Sequence, residues 1–151
     1  MQWKPNVTVA AVVMQNDKFL LVEEMTDEGI KLNQPAGHLE HRESLEAAIK
    51  REMLEETACE FEPKNLIGIY QWPIAKSETT YLRFTFTGTL GQHFSDRKLD
   101  DGIIRTVWLT PDEIYKTKSQ HRNPLVIESM QDFLDGRNYP LDLVKTFNGS
   151  T

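Results

Sequence analysis

Cysteine is almost absent from this chain of 151 residues: Cys59 stands alone. A single thiol forms no internal disulfide and supplies no Cys-rich zinc site, so its simplest role is that of a small, half-buried hydrophobe. Long apolar runs are missing too, and no stretch approaches the length needed to span a bilayer. Met1 to Lys4 carry no cationic segment leading into an apolar core, so a cytoplasmic setting without membrane association is the expectation. Cationic excess is also lacking. Lys and Arg number 17 against 23 Asp and Glu, for a formal net charge of -6. A surface of this sign offers no general attraction for a nucleic-acid backbone, and a polyanionic ligand would need a local cation to approach it. The four histidines, His38, His41, His93 and His121, show no metal-ligand spacing. Internal repeats and low-complexity tracts are absent, so residues 1–151 are read as one folding unit.

What is present is a mixture of strand and helix signals. Hydrophobic residues make up 39% of the chain and charged residues 26%, which suits a packed globular fold rather than disorder. Val7 to Met14 is β-branched and apolar, Gln15-Asn16-Asp17 is a turn, and Phe19 to Glu23 follows, which predicts a hairpin. Further strands are expected at Leu66 to Trp72, Tyr81 to Leu90 and Ile103 to Leu109. In the Tyr81 segment, Leu82, Phe84 and Phe86 share one face, and Tyr81, Arg83 and Thr85 the other. One helix is expected over Ser44 to Thr57. A second opens at Thr110, with Pro111 at its first position and Glu113 closing a capping box. A third opens at Asn123-Pro124 and stops near Gly136. Strands interrupted by well-separated helices predict an α/β fold, a mixed β-sheet with helices on both faces.

The first helix carries the chemistry. At about 100° per residue, Leu45, Ala48 and Ile49 fall on one face, and Glu52, Glu55 and Glu56 continue it. Glu46 and Lys50 lie opposite, while Ala47, Leu54 and Ala58 suggest a second apolar stripe that would place the helix between layers. Like charges at this spacing repel, and the negative end of the helix dipole disfavours them further. A solvated acidic helix end is the alternative, but carboxylates on an inward stripe are costly for stability alone. A divalent cation, magnesium above all, would offset the repulsion and still accept phosphate oxygens.

The spacing from Gly37 to Cys59 resembles the Nudix family signature. Five residues separate Gly37 from Glu43, seven separate Glu43 from Arg51-Glu52, and Met53-Leu54-Glu55-Glu56-Thr57 follow in order. Ala58 stands where the signature has glycine, and Cys59 where it has a large aliphatic; before the box, Ala36 takes the place of a frequent second glycine. Beyond the box, Gln34 to Glu40, Gln71-Trp72, Leu82-Arg83-Phe84 and the segment from Ser129 to Leu141 are similar to the bacterial NudJ-type phosphatases.

The resemblance implies an α/β/α sandwich and a metal site of Glu52, Glu55, Glu56 and the Gly37 carbonyl. That site would hold Mg2+, with Mn2+ able to substitute. The implied reaction releases orthophosphate from nucleoside di- and triphosphates and from hydroxymethylpyrimidine diphosphate, by a monomer. Glu52 is the first choice of base, with Asp100 or Asp101 on a later loop as alternatives. Arg51 and Glu43 are expected to pair and hold the loop against the helix, with direct phosphate binding as the other reading. Substrate contacts are expected among Gln34, Trp72, Arg83 and Phe84. Arg83 equally suits an ordinary strand face, and Trp72 and Phe84 equally suit a core. Rival activities are nucleotide-sugar or ADP-ribose hydrolysis and dinucleoside polyphosphate hydrolysis. Rival classes are a nucleotide-sensing module and a metal-free acidic interaction domain.

Overall fold

A computed structural model describes residues 1–147; the last four residues of the 1–151 span lie outside the described residues. The order is β1 (Asn6–Ala11), β2 (Met14–Gln15), β3 (Lys18–Thr26), β4 (Gly29–Asn33), β5 (Ala36–His38), α1 (Leu45–Thr57), β6 (Cys59–Pro73), β7 (Thr80–His93), β8 (Ile103–Leu109), α2 (Pro111–Lys116), α3 (Leu125–Leu134) and β9 (Tyr139–Pro140). The architecture is mixed α/β. One sheet runs β5-β1-β7-β6-β9, with β1 and β7 parallel and the other pairs antiparallel. In the second, β3 pairs antiparallel with β2, β4 and β8.

The expected hairpin of Val7–Met14 on Phe19–Glu23 is much shorter. Only Met14 and Gln15 pair with Phe19 and Lys18, around a turn in which Asn16 (φ 52) and Asp17 (φ 63) are both left-handed, as a two-residue hairpin loop requires. The strand divides at Val12 and Val13. The Val12 N–H donates to the Phe86 carbonyl of the first sheet (2.8 Å), whereas the Val13 carbonyl accepts from the Leu20 N–H of the second (3.0 Å). A run of apolar residues buried on both faces permits this, since either neighbour can cover it.

The two sheets lie between helices. Val9, Ala11, Val13, Leu20, Leu66 and Phe86 pack with Ala48, Ile49 and Met53 of α1. Val12, Phe19, Leu21 and Ile67 pack with Ile114 of α2 and with Val126 and Met130 of α3. Alternation along each strand sends successive side chains to opposite layers, which produces the α/β/α sandwich.

Side-chain oxygens accept backbone N–H groups at the start of all three helices. Ser44 Oγ accepts from the Ala47 N–H (3.0 Å) at the start of α1. Thr110 and Glu113 form the reciprocal capping box of α2. The Leu125 N–H donates to Asn123 Oδ1 (2.9 Å) at the start of α3. Helix α1 has one buried face rather than two: Ala48, Ile49, Glu52, Met53 and Glu56 are buried, while Ala47 is exposed and Leu54 half-buried. It lies on the sheet as an outer layer, so the second stripe is incorrect. The short strand β5 was not legible beforehand because its pairing with Thr8, Val9 and Ala10 of β1, rather than any local pattern, makes it a strand.

Candidate active site

The acidic end of α1 meets β5 where Gly37 sits. A Cβ built on Gly37 would lie 2.1 Å from the Glu52 carboxylate, so the missing side chain is what lets this carboxylate rest against the strand. The adjacent Ala36 N–H donates to Glu56 Oε1 (3.0 Å). Glu52 and Glu56 are buried, at 7% and 8% exposure, and Glu55 is half-buried.

Arg51 is the organising cation. Its Nε and Nη2 donate to the two Glu43 oxygens (2.6 and 2.9 Å), a bidentate pair of the strong, charge-assisted kind. The same guanidinium donates to Glu52 Oε1 (2.7 Å), Glu55 Oε2 (3.1 Å) and the His38 carbonyl (3.0 Å). Glu43 in turn accepts from the Glu40 N–H (3.0 Å). Arg51 and Glu43 therefore clamp the loop after β5 against α1. The hydrogen bond from Arg51 holds the Glu43 carboxyl below the usual carboxylate range.

A residue far along the chain completes the cluster. The loop between β7 and β8 closes over the C-terminus of α1, where carbonyls lack partners within the helix. The Phe94 N–H donates to the Ala58 carbonyl (2.8 Å) and the Asp100 N–H to the Glu55 carbonyl (2.9 Å). Ala58 itself adopts a left-handed conformation (φ 59, ψ 24), and its N–H bonds the Leu54 carbonyl. It thus makes the helix exit for which the sequence pattern has glycine. Carboxylate oxygens of Glu52, Glu55 and Asp100 consequently lie within 4.8 Å of one another. Glu56 stands beside this group, and Asp101, its side chain fully exposed, also lines the cleft but is not among the clustered carboxylates.

Crowding and burial leave these groups short of negative-charge compensation. Burial pushes the Glu52 carboxyl up to about 7 against the opposing pull of Arg51, with Glu55 and Asp100 adding to the rise. Burial pushes Glu56 up to about 9, despite its hydrogen bond from Ala36. Glu55 is raised as well, by burial first and then by Asp100. Hard oxygen donors at this spacing, on a wall open to a cleft, fit a divalent cation that keeps part of its shell for water and phosphate.

The cleft encloses about 780 Å³, and Gly37, Arg51, Glu52, Glu55, Glu56 and Asp100 line one wall. Trp72, Tyr81 and Arg83 line it elsewhere. Trp72 and Tyr81 stack with centroids 5.6 Å apart and planes at 25°. Two expected substrate contacts lie outside it. Gln34 is buried, and its amide donates to the Val126 carbonyl (2.9 Å); Phe84 packs against the α1-side core. Glu24, Asn33, Arg122 and Asn123, none of them expected at the site from sequence, also reach the cleft. Glu24 pairs with Arg122 and accepts from Asn33 Nδ2, and Asn123 Nδ2 donates to Asn33 Oδ1, both at 3.4 Å. No spacing announced this group, because it is assembled from β3, β4 and the start of α3.

Known proteins resemble this chain in sequence and fold. The family model described as "NUDIX domain" matches residues 4–129. The Phosphatase NudJ of Escherichia coli (strain K12) is 42% identical over 146 residues, covering 97% of this chain and 94% of that protein. The solved structure of a NUDIX hydrolase from Nitrosomonas europaea is 53% identical, with a TM-score of 0.94 and coverage of 97% of this chain and 100% of that one. A MutT NUDIX hydrolase from Burkholderia pseudomallei, at 17% identity and a TM-score of 0.73 over 86% of this chain and 98% of that one, shares the fold. The chain therefore belongs to the Nudix family and is a hydrolase of pyrophosphate bonds similar to the NudJ phosphatases.

Proposed function

We propose that the chain is a magnesium-dependent phosphatase, with manganese able to substitute, that releases orthophosphate from nucleoside di- and triphosphates. Hydroxymethylpyrimidine diphosphate is a further candidate substrate, and the enzyme acts as a cytoplasmic monomer without nucleic-acid or membrane partners. The observation that carries the reading is the convergence of Glu52, Glu55 and Asp100 on one wall of the cleft. A bound divalent cation would neutralise phosphate oxygens there and make a water more acidic. Glu52, Glu55 and Asp100 would hold it, with Glu56 and the Gly37 carbonyl alongside.

The chain's own groups supply the rest. Arg51, fixed by Glu43, keeps Glu52 and Glu55 in place, so these carboxylates need little reorganisation when substrate arrives. Glu52 accepts a proton from the attacking water. Its buried carboxyl, held by the hydrogen bond from Arg51, supports that reading. Water adds to the terminal phosphorus, the anhydride P–O bond breaks, and orthophosphate leaves with the shortened nucleotide. The stacked Trp72 and Tyr81 offer a flat wall for a ring.

The test is a substrate panel with magnesium and an EDTA control, scored for products. Orthophosphate released from nucleoside di- and triphosphates supports the reading. Preferential cleavage of ADP-ribose, nucleotide sugars or dinucleoside polyphosphates into nucleotide fragments would replace it with a pyrophosphatase. Nucleotide binding without any turnover would replace it with a sensing module.

A further inference from the structure

Beside the acidic wall, the same cleft carries two further arginines. Arg83 is buried, at 7% exposure, whereas half of the Arg122 side chain is exposed; both line the cleft. Glu24 links them, as a charged neighbour of Arg83 and the acceptor of Arg122 Nη1. Thr8 faces Arg83 across the parallel pair β1 and β7 and is buried in the same cleft. On its other side Thr8 pairs with His38 of β5. Arg83 therefore lies two strand spacings, about 10 Å, from the strand on which Glu52 rests.

Arg83 Nη1 and Thr8 Oγ1 are buried without a hydrogen-bond partner among the described residues. Thr85 Oγ1 and Gln34 Oε1 share that state, but their residues do not line the cleft. An unpaired buried donor is costly, and a charged one more so. The neighbouring acceptors are taken. Glu24 Oε1 accepts from Asn33 Nδ2 and Glu24 Oε2 from Arg122, and Asn33 Oδ1 and Asn123 Oδ1 accept from Asn123 Nδ2 and the Leu125 N–H. Two guanidiniums thus share one carboxylate. Glu56, the other carboxylate acting on Arg83, belongs to the cation wall, where a bound ion would offset it. A ring carbonyl or ring nitrogen would occupy one donor and leave the positive charge unmet. A phosphoryl group brings several anionic oxygens, enough for both guanidiniums and the Thr8 hydroxyl. Depth orients it. Thr8, Glu24, Asn33, Arg83 and Asn123 are all buried, whereas Trp72, Ile74 and Tyr81 are half-buried and Ser77 is exposed. A linear nucleoside diphosphate therefore enters with its terminal phosphate foremost and its ring towards the shallow end.

We infer that Arg83 and Arg122, with the Thr8 hydroxyl, form an anion subsite that holds the terminal phosphate of the substrate beside the carboxylate wall. The inference rests on the proposed nucleoside diphosphate substrate and names the residues that favour its unesterified end. An ester at that phosphorus removes a charge and an acceptor oxygen, and it sets a substituent against buried walls.

The test titrates inorganic phosphate into the magnesium-loaded full chain by calorimetry and measures kcat/KM for ADP and ADP-ribose. It uses wild type, Arg83→Gln, Arg83→Lys and Arg122→Gln, with a thermal melt of each. Each glutamine variant should weaken phosphate binding and lower kcat/KM for ADP by roughly 10- to 100-fold, the scale of a charged hydrogen bond. Arg83→Lys should recover part of both losses. Wild type should favour ADP over ADP-ribose by about tenfold or more, and the glutamine variants should narrow that ratio. A wild type that binds no phosphate, or affinity unchanged in both glutamine variants, overturns the inference. So does an equal loss on ADP and ADP-ribose, which would place the guanidiniums on the inner phosphate or on the scaffold. Should Arg83→Gln fail to fold, the half-exposed Arg122→Gln decides, and unchanged phosphate affinity in it overturns the subsite. A wild type that releases no orthophosphate from ADP removes the substrate reading itself, and the phosphate titration then still tells whether the two arginines hold a phosphate.

Discussion

Gly37 and Glu52 show how much of this site depends on single atoms. With the position of a Gly37 Cβ only 2.1 Å from the Glu52 carboxyl carbon, Gly37→Ala must push the carboxylate off the strand. Misplacement by an ångström at a reacting centre can cost on the order of 100-fold. We therefore expect turnover to fall by roughly 10- to 100-fold while the melting curve keeps a single transition; wild-type kcat in the alanine variant would show that the contact does not matter. Glu52→Gln preserves shape but cannot take a proton, and loss of a general base typically costs about 100-fold or more. Near-normal turnover of Glu52→Gln at saturating magnesium would move the base to Asp100. Glu52, Glu55 and Glu56 were legible from helical spacing, because a helix fixes which positions share a face, whereas Glu43, in the loop before the helix, and Arg51 were legible through the resemblance to the Nudix signature. Asp100 was legible only as a candidate base, and its place among the clustered carboxylates depends on the loop that closes over the helix end.

Helix α1 is the element that carries the catalytic groups, and its two ends are built differently. At the N-terminus, Ser44 Oγ accepts from the Ala47 N–H. Ser44→Ala should lower unfolding free energy by about 1 kcal/mol, measured by denaturant titration, with kcat close to wild type because the acidic turn lies at the other end. A loss above about 3 kcal/mol would mean that Ser44 does more than cap. At the C-terminus, left-handed Ala58 lacks the conformational freedom of glycine, at a cost of about 1 kcal/mol. Its burial and the bond from Phe94 to its carbonyl hold it there. Apolar periodicity located the helix correctly. It failed on the second stripe, since alanine and leucine on a 13-residue helix do not reveal which face meets the sheet. Met53, fully buried, is the residue that does.

At the scale of the whole molecule, the site stores electrostatic stress that pH and cations control together. Glu52 and Glu56 have folded values near 7 and 9, above the ordinary carboxylate value of 4.5. The metal-free folded state thus binds more protons than the unfolded chain between these limits, and stability falls with rising pH there. The contribution is fully present below about pH 4.5 and lost as pH rises through the folded values. Metal-free Glu56→Gln, whose amide oxygen can still accept from Ala36, should exceed wild type in Tm at pH 9 and lose that advantage towards pH 5. A constant difference across this range would contradict the account. Added magnesium should raise the wild-type Tm, by more at pH 8.5 than at pH 6, because the ion competes with protons for the same oxygens. Equal increments at both pH values would place the ion elsewhere. By itself, the sequence determined the helix that bears the carboxylates and the family, since these depend on spacing within one local segment; the Arg51–Glu43 pairing was an expectation beside direct phosphate binding, and the structure shows the pair. The tertiary structure alone decided that Val12 and Val13 pass the chain between two sheets, that Asp100 joins Glu52 and Glu55, and that Trp72, Tyr81 and Arg83 line the same cleft as these carboxylates. Each of these depends on which distant strand or loop packs beside a residue, and local periodicity carries no record of that partner.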